Sequence, residues 1–166
     1  MKYVKVNGGQ LVEEIAIHQS SGSSDGNKIV RTRSDGFLDP TFFPPGIGPQ
    51  SIVVVAGESL SAGNLVYIGS DGKAYKADAS GANQSKIAIG FVTSSFAAND
   101  DATVYTEGVI SGLSGLTPGG RYFLTATPGT FSSTAPTTAG HAWQPVGYAI
   151  NATTFLFRPD SPVTLS

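Results

Sequence analysis

The chain has 166 residues, enough for one domain and an appendage. Only 13% of them are charged, the net charge is −2, and there are 21 glycines and 10 prolines. This balance excludes a helical bundle, a wholly disordered chain and a basic nucleic-acid surface. Cysteine is absent, so there is neither a disulfide scaffold nor a thiolate metal site. The longest apolar run, Ile52 to Ala56, is far too short for a membrane helix. The first residues lack the apolar stretch of a secretory signal, which predicts synthesis and folding in the cytoplasm.

Lys2 to Val6 alternates with period two, Asn7-Gly8-Gly9 turns, and Leu11 to Ile17 is apolar around Glu13 and Glu14. Two such runs around Asn-Gly predict a β-hairpin, with the two glutamates on opposite faces. His18 to Asn27 is polar and glycine-rich, a linker by composition. Lys28 to Arg33 reads as a short strand, with Arg31 and Arg33 on one face, where they either pair with a partner's carboxylates or guard a solvated edge strand. Residues 37–50 contain four prolines, which rule out a helix or a central strand, yet carry Phe37, Leu38, Phe42, Phe43 and Ile47. Burying one such side chain is worth roughly 1.5–3 kcal/mol, so this segment is expected to pack against a surface.

Strand signals at short, regular intervals fill residues 51–158, predicting an all-β barrel or sandwich. They include Ile87 to Thr93 and a hairpin around Asp71-Gly72. The stretch also repeats itself. Leu60 to Ile68 aligns with Leu116 to Leu124 at an offset of 56. Ile89-Gly90-Phe91-Val92 aligns with Val146-Gly147-Tyr148-Ala149 at 57, and Ala102 to Tyr105 with Thr153 to Leu156 at 51. The expected organisation is an extended N-terminal arm with short strands, residues 1–50. A β-domain, 51–166, follows it, built from pseudo-repeats at about 57–106 and 113–158.

Chemistry is sparse. His18 and His141 have no carboxylate or second histidine at ligand spacing, and Asp25, Asp35, Asp39, Asp100 and Asp101 stand where turns want aspartate. No nucleophile elbow, P-loop or dinucleotide fingerprint occurs. The sequence predicts no enzyme and no cofactor. Its tyrosines and Trp143 are expected in a core or at subunit contacts, with sugar stacking as the other use of such rings.

Asp25-Gly26-Asn27-Lys28-Ile29-Val30, followed by Asp35-Gly36-Phe37-Leu38-Asp39-Pro40-Thr41-Phe42-Phe43-Pro44, resembles a linker of tailed-phage virion proteins. The repeated domain, with Leu60-Ser61-Ala62-Gly63, Ser70-Asp71-Gly72-Lys73-Ala74-Tyr75 and Gln144-Pro145-Val146-Gly147-Tyr148, is similar to β-domains of phage capsid decoration proteins and fibres. The second repeat departs from the pattern where Pro128-Gly129 replaces Asp71-Gly72. The resemblance covers most of residues 22–158 and implies a structural virion protein. Its short length and adhesive arm favour a decoration, or cement, protein on the capsid exterior, a homotrimer bound to the major capsid protein. Neither nucleic acid nor membrane is expected as a partner. Arg31, Arg33, Phe37, Leu38, Phe42 and Phe43 are the expected contact residues. The alternative is a receptor- or carbohydrate-binding tail or head-fibre protein.

Overall fold

The structure is a computed structural model that describes residues 2–17, 20–21, 23–32, 34, 36, 38, 42–43, 50–80 and 85–166. The chain divides into two compact units, residues 1–48 and 49–166. The regular structure described in both is almost wholly antiparallel strand, so the fold is all-β.

In the first unit β1 (Lys2–Asn7) pairs with β2 (Gln10–Ile15) in an unbroken register from Lys2↔Ile15 to Asn7↔Gln10. Asn7 therefore stays in the strand, and the turn is Gly8-Gly9, both at positive φ (59° and 83°). That is the geometry of a two-residue type I′ turn, which glycine adopts without strain. Lys28 to Arg33 does not form a strand in its described part. Val30 makes a parallel bridge to Ile17, closed by the Ile17 N–H donating to the Ile29 carbonyl and the Arg31 N–H donating to the Ile17 carbonyl, and among the described residues the ladder goes no further. A 3-10 turn at Ser23–Asp25 forms where the Asp25 carboxylate accepts from the Ser21 N–H and from Lys28.

The second unit holds two five-stranded sheets. The strands of the first are β3 (Ser51–Val55), β4 (Leu65–Ile68), β5 (Ala74–Lys76), β6 (Gly90–Phe91) and β7 (Asp101–Tyr105), in the spatial order β3-β7-β6-β4-β5. Those of the second are β8 (Gly108–Ser111), β9 (Arg121–Leu124), β10 (Phe131–Ser132), β12 (Pro145–Asn151) and β13 (Thr154–Phe157), in the order β8-β13-β12-β9-β10. A separate ribbon pairs β11 (Ala142–Trp143) with β14 (Val163–Thr164). The two sheets thus have one connectivity, with β3 to β7 standing for β8, β9, β10, β12 and β13.

Hydrogen bonds recur with the strands. Gly63 N–H donates to the Val92 carbonyl (2.7 Å) as Gly119 does to Ala149 (2.8 Å). Val92 N–H donates to Asn64 (3.1 Å) as Ala149 does to Gly120 (3.0 Å). The hairpins differ from a tight two-residue turn: residues 69–73 form a wider loop in which Gly69 N–H donates to the Lys73 carbonyl. Its counterpart is the donation from Thr125 N–H to the Thr130 carbonyl, so the Pro128-Gly129 substitution keeps the loop.

Two cores result. In β4, Leu65 and Tyr67 face one and Val66 and Ile68 the other, the period-two consequence of a strand buried on both sides. The first sheet curls until Ala56, just past β3, bridges Ala74 of β5, and this encloses Leu60, Val66, Ala74, Val92, Ala102 and Val104. Its outer side, with Leu65 and Phe91, lies against the inner side of the second sheet, with Ile110, Tyr122, Leu124, Phe155 and Phe157. Phe91 meets Phe157 edge-on at 5.3 Å between centroids.

Candidate interaction surfaces

Three surfaces stand out, each created by the strand pairing beneath it. The first is the outer face of the β1–β2 hairpin. Opposed residues in an antiparallel pair share a face. One face therefore carries Tyr3, Lys5, Val12 and Glu14, and the other Val4, Val6, Leu11 and Ile15 beside the Lys2–Glu13 pair. The polar face is tied down. Glu14 accepts from the Tyr3 hydroxyl (2.8 Å) and pairs with Lys5, while Tyr3 Oη accepts from the Ile29 N–H (3.2 Å). The Lys5 ammonium, with help from Tyr3, holds the Glu14 carboxyl below the usual range, and Glu14 raises Lys5 in turn. Lys28 and the Ser21 N–H do the same for Asp25. The other face carries only the exposed Lys2–Glu13 pair (2.7 Å) among its described contacts, and Val4, Val6, Leu11 and Ile15 are 62%, 68%, 78% and 63% exposed. A contiguous aliphatic sheet face left in water marks an interaction surface.

The expected contact residues lie in the same unit. Arg31 is exposed, as are Leu38 and Phe43, and Phe42 is half-buried. Arg33 and Phe37 lie outside the described residues. The aliphatic face was missed by sequence reasoning, although the alternation of Lys2 to Val6 and the Gly8-Gly9 turn contain its register.

The second surface is an open cleft of about 520 Å³ lined by Tyr67, Ser70, Asp71, Tyr75, Ser85 and Lys86. Tyr67 and Tyr75 stack with centroids 5.7 Å apart. The Tyr75 ring occupies a slot that a Cβ on Gly57 or Gly69 would fill, and its hydroxyl donates to Asp71 Oδ2 (2.8 Å). That bond is the main cause of the lowered Asp71 and raised Tyr75 pKa values. Lys86 pairs with the nearly buried Asp78 at 3.2 Å. Rings, hydroxyls and a carboxylate at an open cleft offer stacking and hydrogen bonds but no nucleophile–base pair.

The third is the outer face of the second sheet. One row of opposed residues crosses it: Val109, Leu156, Tyr148 and Arg121. The Arg121 guanidinium donates to the Tyr148 hydroxyl (2.8 Å) and lies 5.4 Å from the ring centroid. Beside it Phe123 meets Trp143 at 5.2 Å. Of the remaining tyrosines, Tyr122 is buried and Tyr105 stacks on Phe91.

Among the described residues no three histidine, aspartate or glutamate side chains come together as metal ligands, and no helix is long and apolar enough to cross a membrane. No protein-family model matches the sequence, and no curated protein matches it.

Proposed function

We propose that this protein is a phage capsid decoration protein, a structural component that attaches to the outside of the major capsid protein shell and clamps neighbouring subunits against the pressure of the packaged genome. The observation that carries this reading is the bare aliphatic face of the β1–β2 hairpin, set in a unit of its own at the head of a β-domain. A flat apolar sheet face suits docking on a protein surface, and exposed Leu38 and Phe43 supply further anchors. The resemblance of residues 22–44 and of the repeated domain to phage virion proteins supports the same assignment. As a homotrimer the protein would present three arms, so modest single contacts would combine into tight attachment. The role is structural rather than catalytic, and its place is the virion exterior.

The test is co-sedimentation with undecorated shells at rising protein-to-shell ratios. The wild-type chain is expected to bind saturably at a fixed copy number, and Leu11→Asp with Ile15→Asp to abolish binding while circular dichroism stays unchanged. Undiminished binding by the double variant would falsify the arm as the attachment device. The tyrosine-lined cleft favours a second reading, a fibre protein that holds a saccharide by ring stacking and the Asp71 carboxylate. Glycan binding lost on Tyr67→Ala, with no affinity for shells, would establish that reading instead.

A further inference from the structure

We infer that a second copy of this chain lays its β3 strand on the outer face of the β8-β13-β12-β9 sheet, repeating between copies a contact that the two halves make once within the chain. The inference stands on the repeat alone and does not depend on what the arm binds.

The internal contact has two sides. One is the outer face of the first sheet, with Leu65, Phe91 and Tyr105; Leu65 and Phe91 are 0% and 1% exposed. The other is the β8–β13 edge of the second sheet, where Ile110 and Phe157 join the same cluster and Gly108 lies beside the Phe91 ring. The repeat gives each side a counterpart. Leu65, Phe91 and Tyr105 correspond to Arg121, Tyr148 and Leu156 at the offsets of 56, 57 and 51. Ile110 opposes Phe155 in its sheet as Ile52 opposes Val104 in the other, so Ile52 is the counterpart of Ile110.

Both counterparts are bare. Tyr148 is 42% exposed and its row neighbour Val109 48%. Ile52 is 41% exposed where Ile110 is 3%, and Val53, on the opposite face of the strand, is 67% exposed. β3 also stands at the end of its sheet order and contains no lysine or proline; its sheet meets the opposite edge just past the strand, where Ala56 bridges Ala74. The chain thus carries one spare outer face and one spare edge strand, matching in position the two sides that meet inside it, with Ile52 in the place of Ile110 and Thr106 in the place of Phe157. A contact between unlike surfaces propagates from copy to copy and ends in a ring when the rotation closes. Arg121, in place of Leu65, caps the Tyr148 ring and keeps the face hydrated in the free chain.

The cysteine-free sequence makes the test clean. Full-length Ile52→Cys and Tyr148→Cys chains are prepared separately, then treated with a short bismaleimide alone and after mixing. The mixture is expected to give covalent dimers and neither variant alone to do so. Sedimentation should show a concentration-dependent oligomer of the wild-type chain that Leu156→Glu converts to a folded monomer. If that variant fails to fold, Val109→Glu at the exposed end of the row serves in its place. A wild-type monomer at every concentration, cross-linking of Tyr148→Cys with itself, or an oligomer indifferent to both charge insertions overturns the inference. A chain that is monomeric yet binds shells overturns it and leaves the capsid reading intact.

Discussion

A methyl group at residue 147 has nowhere to go. A Cβ on Gly147 would be driven into the carbonyl oxygen of Leu156 on the paired strand, and the backbone there has φ +144°, which side chains disfavour. Gly90, its counterpart, faces the same exclusion: its Cβ would sit 2.8 Å from the Tyr105 carbonyl oxygen and 2.5 Å from Val104 Cγ1. Gly147→Ala is therefore expected to cost on the order of 3 kcal/mol in urea unfolding, with a smaller loss for Gly90→Ala, whose clash with the facing carbonyl oxygen is shallower and whose φ is not positive. A stability within about 0.5 kcal/mol of wild type for Gly147→Ala would refute the close approach. The glycine before an aromatic was visible in the sequence as part of the repeat. Its cause was not, because the clashing atoms lie on another strand.

For single elements, pattern alone served best where the partner is the next segment along the chain. The hairpin of residues 2–15 was legible because one turn joins both strands. Lys28 to Arg33 has an equally good strand pattern, but among the described residues it makes a single bridge, to Ile17. Ile87 to Thr93 shortens to Gly90–Phe91 because the Ala88 N–H and C=O are taken by the Gln144 side chain instead of a ladder. The outer hairpin face has a pH-dependent support behind it. Glu14 and Asp25 have lowered pKa values in the folded unit, so their stabilisation is complete above the ordinary carboxylate range. It is lost as pH falls through the lowered folded values, when the partners Lys5, Tyr3 and Lys28 are released. The Ile29 amide, which donates to Tyr3, is expected to shift in NMR spectra and exchange faster below that range. An Ile29 amide unchanged through the acid titration would count against this coupling.

At the scale of the molecule, the two halves of the β-domain meet in a common core, and a buried side chain ties them beside backbone hydrogen bonds such as Ala79 N–H to the Thr125 carbonyl. Gln144, 2% exposed, accepts from the Ala88 N–H and donates to the Ala88 carbonyl, both at 2.9 Å. Gln144→Leu leaves both backbone groups buried without partners, an expected loss of about 2–4 kcal/mol that calorimetry would read as a lower Tm. An unchanged Tm would mean that water or a shifted backbone replaces the amide. The recurrence of the halves was legible from Leu60, Gly90 and their counterparts. The curl of the first sheet was not, since it depends on a bridge between Ala56 and Ala74, two residues without distinguishing chemistry. The position of β3 has a mechanical consequence. The described part of the domain begins at Gln50, whose carbonyl accepts from Thr106, and runs directly into β3, held to β7 by five successive residue pairs. A pull arriving through the preceding segment in line with the strand loads those pairs together, in shear. A pull across it opens them one at a time, like a zipper. The strength of the tether is thus set by the direction of the load as well as by the number of bonds.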